Sequence, residues 1–469
     1  LPPGLRFQRI SIPCRRDRYT ATDCADGGWA TPEPPHRINQ TFFEPILSRA
    51  AARHPNIRIL NRTCIDSYTQ EESGVTAQGV DLETGKALEI RADYLIGCDG
   101  GRSVVRRAIG ANLVGDAVIQ RVQSTYFLAP DLIDRIPGKQ AWWTYLYHPN
   151  RAGSLAAIDG KESWLLHNYL LRSETGFEAV DRDGCLRLLL GVDADFEYEV
   201  LSDEGWIGRR LVDDRFRDRR VFICGDAAHL WVPYAGYGMN TGIADAMGLS
   251  WPLAARINGW GGEALLDAYE KERQPITEQV SRFAMSHAEK AIAERTSIPA
   301  DFLEEGPAGD ALRNMIGEEA YRLHIQQFAC EGLDYGYFYE ASPFILYDDQ
   351  MPPAYTMHDY TPSTVPGCSL PNFVLADRRS LYDTLGDGFA LLRFNPAIDA
   401  SRLQQAAKRR GVPLVLLDVP PDVAPECYAH TLVLSRPDRH VGWRGDANPD
   451  EAEAMIDQLT GWAEVSHRP

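Results

Sequence analysis

The feature that most constrains this chain is a short apolar run that stops at a carboxylate: Val221-Phe222-Ile223-Cys224, then Gly225-Asp226-Ala227-Ala228-His229. Such a run between polar flanks suits a strand buried on both faces. Asp226 then falls at the carboxyl end of the strand, where open α/β sheets hold their ligands. A carboxylate there accepts hydrogen bonds from the hydroxyls of a ribose or ribityl chain. The segment from Pro233 to Gly242 carries Gly236, Gly238 and Gly242, so its backbone can approach a ligand closely. A helix is predicted from about Met239, with Ile243, Met247, Trp251 and Ala254 along one face. Its amino end would offer free N–H groups and the positive end of a dipole. The plain alternative is a buried strand, a glycine-rich turn and a core helix with no ligand.

A second motif lies far upstream, Asp93-Tyr94-Leu95-Ile96-Gly97-Cys98-Asp99-Gly100-Gly101-Arg102-Ser103-Val104-Val105-Arg106. Downstream stand Gly225-Asp226-Ala227-Ala228-His229, Pro233, Gly236-x-Gly238-Met239-Asn240-x-Gly242 and Asp245-Ala246. In this order the two resemble the cofactor motifs of single-component FAD-dependent aromatic hydroxylases, the class A flavoprotein monooxygenases. The resemblance runs from about Arg37 to the C-terminus and is nearest the phenol hydroxylase branch. It implies an α/β fold: a Rossmann-like FAD-binding domain interleaved with an antiparallel β-sheet substrate domain, followed by a thioredoxin-like C-terminal domain. It also implies that Gly225, Asp226, Pro233, Gly236, Gly238, Met239 and Asn240 border FAD. Asp99, Gly100 and Arg102 would serve FAD or NAD(P)H, and Gln40 matches a glutamine near the flavin. Arg106 shares the second motif; for both arginines a solvated helix end is the plain reading, as a helix start is for Gln40.

The implied reaction consumes NAD(P)H and O2 and hydroxylates a small phenolic or related aromatic substrate through a flavin C4a-hydroperoxide. The catalytic base is unassigned. Two other classes share the motifs: a flavoprotein epoxidase or Baeyer–Villiger-type oxygenase of a secondary-metabolite pathway, and a truncated homologue that binds without flavin. The family's opening strand, G-x-G-x-x-G turn and helix are not found in this sequence, which starts Leu1-Pro2-Pro3. That unit is expected to precede the segment read here.

Composition narrows the partners. A net charge of −18 disfavours nucleic acid, whose phosphates need clustered Lys and Arg, and anionic membranes alike. No apolar run nears the roughly 18 residues needed to span a bilayer. Nine cysteines without C-x-x-C read as reduced thiols of a cytoplasmic protein, and the sequence shows no metal site.

The expected domains are 1–119 with 201–295 for FAD, 120–200 for the substrate sheet, 296–361 for a helical connection and linker, and 362–469 at the end. Phe7 to Tyr19 alternates loosely as a strand. A helix is predicted through Ala52, a strand at Ile57 and Ile59, then a hairpin turning at Thr84-Gly85. Ser103 should cap a short helix over Val104 to Ile109. Strands are expected over Gln123 to Leu128, Ala141 to Tyr147, Leu155 to Ile158 and Ser163 to Tyr169, with turns at Pro149-Asn150 and Asp159-Gly160. In the family such a sheet roofs the substrate pocket. Trp142, Trp143, Tyr145, Tyr147, His148, His167 and Tyr169 are the candidates. Alternation puts only one set on the cavity side, and Trp143, Tyr145 and Tyr169 are favoured; the alternative is that all are packing. Pro252 should kink or end its helix. The proline-rich stretch from Pro352 to Pro371 reads as a linker to a βαββα unit without dithiol chemistry, suited to packing or a homodimer contact. Deleting the chain from about Thr364 should then leave flavin chemistry intact.

Overall fold

The structure is a computed structural model that describes residues 10–463 apart from 15, 18, 19, 30, 137–139, 234 and 235. Two short sheets build the cofactor side. Leu95–Gly97 and Val221–Ile223 pair in parallel, which brings the two motifs side by side, and Arg217–Asp218 adds an antiparallel edge. Val221, Phe222 and Ile223 are fully buried, which accounts for the uninterrupted apolar run. Thr63–Glu71, Gly74–Asp81 and Ala87–Ala92 form an antiparallel meander. The strand expected at Ile57 and Ile59 therefore starts later, at Thr63, and the Thr84-Gly85 turn stands with Gly85 at φ +69°. The strand expected from Phe7 to Tyr19 lies mostly outside the described residues, and 10–14 carry none.

The substrate side is one antiparallel sheet of six strands: His229–Trp231, Glu199–Asp213, Leu113–Leu128, Ser163–Tyr169, Arg151–Ala157 and Trp143–His148, in that spatial order. The strand expected over Gln123 to Leu128 is far longer, starting at Leu113. Leu113–Leu128 and Glu199–Asp213 both run across the boundaries placed at 119/120 and 200/201. The cofactor and substrate regions are thus joined by continuous strands rather than linkers. One face of the sheet packs Phe127, Leu155, Trp164 and Leu166 against the helix Arg182–Leu190. The other face is left for the cavity.

The helix after the glycine turn spans Tyr237–Ile257 and passes through Pro252 unbroken. The expected stop does not occur. Pro252 is buried in a helix that packs on its neighbour Ala268–Thr296, so packing offsets the missing hydrogen bond. The expected apolar face is also corrected. Ile243 and Met247 are 52% and 43% exposed and Ala254 is exposed, while Thr241, Asp245, Leu249 and Leu253 are buried with Trp251. Asp245 can be buried because His229 Nε2 lies 2.8 Å and Arg273 Nε 3.0 Å from its carboxylate. Those partners, with burial opposing them, hold its pKa below the usual carboxylate range.

The C-terminal region runs βαβββα, one strand more than the expected βαββα: Phe389–Arg393, Ser401–Arg410, Leu414–Asp418, Leu432–Ser435, Val441–Gly445 and Ala452–Leu459. It is not a detachable unit. Phe389, Leu391, Leu403 and Leu459 share one core with Trp251, Trp260 and Leu265 of the cofactor region. Arg436, 1% exposed, spans the junction by donating to both carboxylate oxygens of Glu272, at 2.6 and 2.7 Å. The expectation that the chain can be cut at about Thr364 is therefore withdrawn.

Candidate active site

The Gly225-Asp226-Ala227 segment leaves the buried strand as one 3-10 turn, with Gly225 at φ +60°. Gly225 must be glycine for that backbone, and a side chain at Gly242 would meet its Cα at 3.3 Å. The turn therefore lies against the start of the Tyr237–Ile257 helix. Asp226 stands exposed at its tip, and its carboxylate has no hydrogen-bond partner among the described residues. At the helix start, Gly236 has φ +69° and gives no side-chain cap. Among the described residues the first N–H groups of this 21-residue helix have no side-chain cap, which suits them to an outside acceptor. Asn240 donates back to Gly236 O at 2.8 Å and fixes this turn. An unpartnered carboxylate beside uncapped N–H groups is a donor-and-acceptor set that fits a flavin with its ribityl chain. Tyr234 and Ala235 fall outside the described residues.

A cavity of about 580 Å³ lies between this turn and the sheet. Pro233, Gly236, Met239 and Asn240 wall it on the helix side. Trp143, Tyr145, His167, Tyr169 and Trp206 wall it on the sheet side. The register explains the second set: Ser154 pairs with Tyr145 on one side and His167 on the other, and Val122 with both Tyr169 and Trp206. These residues share one face, so all three favoured aromatic residues reach the cavity.

Each is held from behind. Tyr145 stacks on His324 at 4.0 Å and 17°, and its hydroxyl accepts from Gln327. Gln327 also reaches His324 Nδ1 at 3.0 Å, and His324 Nε2 lies 3.0 Å from Glu294. Tyr169 carries the Arg295 guanidinium over its ring at 4.2 Å, a cation–π contact. Trp143 packs edge-on to Tyr145 and tilted to His167. Tyr147 turns away to Glu294, and His148 is absent from the cavity wall.

The upstream motif plays a different part. Asp99 accepts from Ser103 Oγ and from the N–H groups of Val104 and Val105, at 2.5, 2.7 and 3.2 Å. Ser103 caps the helix Val104–Ala108 by accepting from Arg106 N at 2.9 Å. The Asp99 carboxylate is thus engaged in helix capping. Arg106 is buried and donates to Ala227 O and Gly101 O, tying this helix to the Asp226 turn. It is no solvated arginine, and it is not among the residues that line the cavity. Gly100 adopts φ +75°, and Arg102 is exposed. Gln40 opens the helix Gln40–Arg53, is exposed and donates to Glu44, away from the cavity wall.

Sequence reasoning missed the residues that close the cavity from elsewhere in the chain. Arg37, Trp206, Gln327, Phe328 and Asp334 all line it. Tyr237 also lines it and donates its hydroxyl to Asp334, whose pKa burial raises to about 6. Only long-range packing brings these together, and no local motif marks them.

The fold and cavity define a flavoprotein class, and comparison with known proteins fixes the family. Residues 17–284 match the FAD binding domain family, and residues 363–464 match the aromatic-ring hydroxylase C-terminal family. An FAD-dependent monooxygenase of Emericella nidulans is 31% identical over 92% of this chain and 73% of its own length. Phenol 2-monooxygenase of a Pseudomonas species is 29% identical, over 93% of this chain and 76% of its own. Among solved structures, the rebeccamycin biosynthetic enzyme RebC with reduced flavin superposes with a TM-score of 0.82 at 31% identity, covering 93% and 80% of the two chains. This chain belongs to the FAD-dependent aromatic monooxygenase family and is an enzyme of that class.

Asp226→Ala is expected to lose FAD while keeping the fold, since the side chain is exposed and supports no neighbour. Each charge-assisted hydrogen bond to a ribityl hydroxyl is worth about 1.5–3 kcal/mol. Flavin fluorescence titration of the purified variant, beside its melt, checks this; unchanged affinity would refute the assignment.

Proposed function

We propose that the enzyme hydroxylates a phenolic, ring-fused aromatic substrate, using NAD(P)H as reductant and O2 as oxygen source. The observation that carries this reading is the single cavity shared by the uncapped helix start and one aromatic face of the sheet. Its volume of about 580 Å³ includes room for the flavin ring along Gly236, Met239 and Asn240, and its sheet side offers the flat faces of Trp143, Tyr145, Tyr169 and Trp206 to a flat aromatic molecule. Bound FAD supplies two-electron reduction and oxygen activation; Asp226, Gly236, Met239 and Asn240 are the residues assigned to hold it.

The protein's own part is orientation and dryness. The indole and phenol rings of the sheet hold a flat substrate and keep water out. The helix amino end favours negative charge on a flavin placed against it. On strand order we assign the C-terminal unit to the thioredoxin-like fold; without C-x-x-C its role is packing.

The test is an absorption spectrum of the purified protein, then NAD(P)H oxidation against a panel of mono- and polycyclic phenols. The expected result is a yellow protein whose NAD(P)H oxidation is stimulated most by fused-ring phenols. A flavin-loaded protein that no phenol stimulates, yet that oxygenates a ketone or an alkene, would replace this reading with the Baeyer–Villiger or epoxidase one.

A further inference from the structure

His167 sits in the middle of the cavity's sheet face, with its ring against Trp143 at 5.7 Å and Trp206 at 5.9 Å. Its two nitrogens have different surroundings. Nδ1 lies 2.7 Å from Ser124 Oγ. Nε2 has no partner among the described residues and is not among the buried unpaired atoms, so a ligand in the cavity can reach it.

The proton on this ring can be placed from the neighbours. Trp206 Nε1 is a donor only, and it donates to Ser124 Oγ at 2.7 Å. Ser124 is 3% exposed, and its hydroxyl has one hydrogen to give. If Nδ1 carried the ring proton, Ser124 would accept from both Trp206 and His167. Its own hydrogen would then be buried with no acceptor among its recorded contacts, a loss that costs free energy. If Ser124 instead donates to Nδ1, all three groups are satisfied. The ring proton then resides on Nε2. Burial also drives the His167 pKa down to about 4, so the ring is neutral near pH 7.

We propose that Trp206 and Ser124 lock His167 as its Nε2–H tautomer, and that this N–H donates to an acceptor oxygen of the bound substrate. The inference rests on the reading of the cavity as an aromatic-substrate site. It names the chemistry that the wall selects: a ring carbonyl or phenolate oxygen at the point opposite His167. A ligand presenting an N–H there meets donor with donor and is rejected, as is one presenting only C–H, which leaves Nε2–H unpaired. His167 is thus a specificity-determining residue that touches substrate, and Ser124 is a positioning residue acting through it.

Two readouts test this. Long-range ¹H–¹⁵N correlation of the holoenzyme labelled at histidine, with His167→Gln to assign the signal, reports the tautomer without any substrate. The expected pattern is that of Nε2–H; a pattern of Nδ1–H overturns the proposal. The second readout is the perturbation of the flavin spectrum by 1-hydroxyanthraquinone and by 1-hydroxyanthracene, which share an outline but differ in ring carbonyls. Wild type is expected to bind the quinone about tenfold more tightly, as a paired against an unpaired donor. His167→Phe should erase that ratio, and His167→Gln, which keeps an N–H near the same point, should restore part of it. A ratio that survives His167→Phe overturns the proposal, and equal binding of both probes to wild type overturns it alone. If neither probe binds wild type, the aromatic-substrate reading falls and takes this inference with it.

Discussion

An Arg436→Ala variant is expected to lose about 3–5 kcal/mol of stability, the cost of breaking a buried ion pair by removing one partner. Arg436 holds four contacts in one place: both oxygens of Glu272, and both oxygens of Asp438 at 2.6 and 3.1 Å. Its guanidinium also lies over Trp251 and Tyr339, at 5.0 and 5.3 Å. Truncation leaves the buried carboxylates of Glu272 and Asp438 without their guanidinium partner. A net stability of about 5–15 kcal/mol makes that loss a large fraction of the total. Glu272 adjoins Arg273, which in turn holds Asp245 beside the cofactor turn. Damage at the C-terminal junction should therefore weaken flavin retention as well. Urea unfolding followed by flavin release measures both. An unchanged midpoint would show that the junction contributes little, and cutting the chain near Thr364 would again be reasonable.

The second large effect concerns coupling. Trp143→Ala is expected to keep NAD(P)H oxidation running while product falls on the order of 100-fold, the scale of an ångström's misplacement in a positioned reaction. Trp143 lines the cavity and buttresses both Tyr145 and His167. Removing it loosens the face that orients the substrate and opens the site to water, so reduced oxygen should leave as hydrogen peroxide. Flavin reduction needs no aligned aromatic ring and should suffer less. A purely structural Trp143 would instead cost about 3–5 kcal/mol and melt the protein first. Peroxide and product per NAD(P)H, measured beside a thermal melt, separate the two outcomes.

How far the sequence could be read depended on the range of the interaction. The strand Val221–Ile223 and the Asp226 turn were legible because a buried strand and its glycine are local facts. The period-2 pattern likewise placed Trp143 with Tyr145, and His167 with Tyr169, each pair on one face of its own strand, but only the register joins the pairs into one wall. The pattern could not single out His167, whose significance comes from Ser124 and Trp206 on two other strands. The buried face of the Tyr237–Ile257 helix was misread for a related reason. Apolar residues marked one side, whereas the partners of Asp245, above all Arg273 in the next helix, buried the other. Asp99 carries a family motif, yet its carboxylate ends on a helix start that only the folded chain reveals. The proline-rich stretch suggested a linker, but proline content says nothing about Arg436 reaching Glu272, 164 positions away. Strand length was underestimated where Leu113–Leu128 bulges between Asp116 and Gln120, because the alternation fails there.

The proposed reaction needs the cavity between the Gly236 helix start and the aromatic sheet face to hold a phenolic substrate against flavin for oxygen insertion. Turnover under ¹⁸O2 with a fused-ring phenol, followed by mass spectrometry of the product, tests it most directly. The expected result is one labelled oxygen atom in the product for each NAD(P)H oxidised by the coupled wild-type enzyme, and on the order of 100-fold less labelled product from Trp143→Ala. Product whose new oxygen comes from water, or labelled product formed equally well by Trp143→Ala, would contradict it.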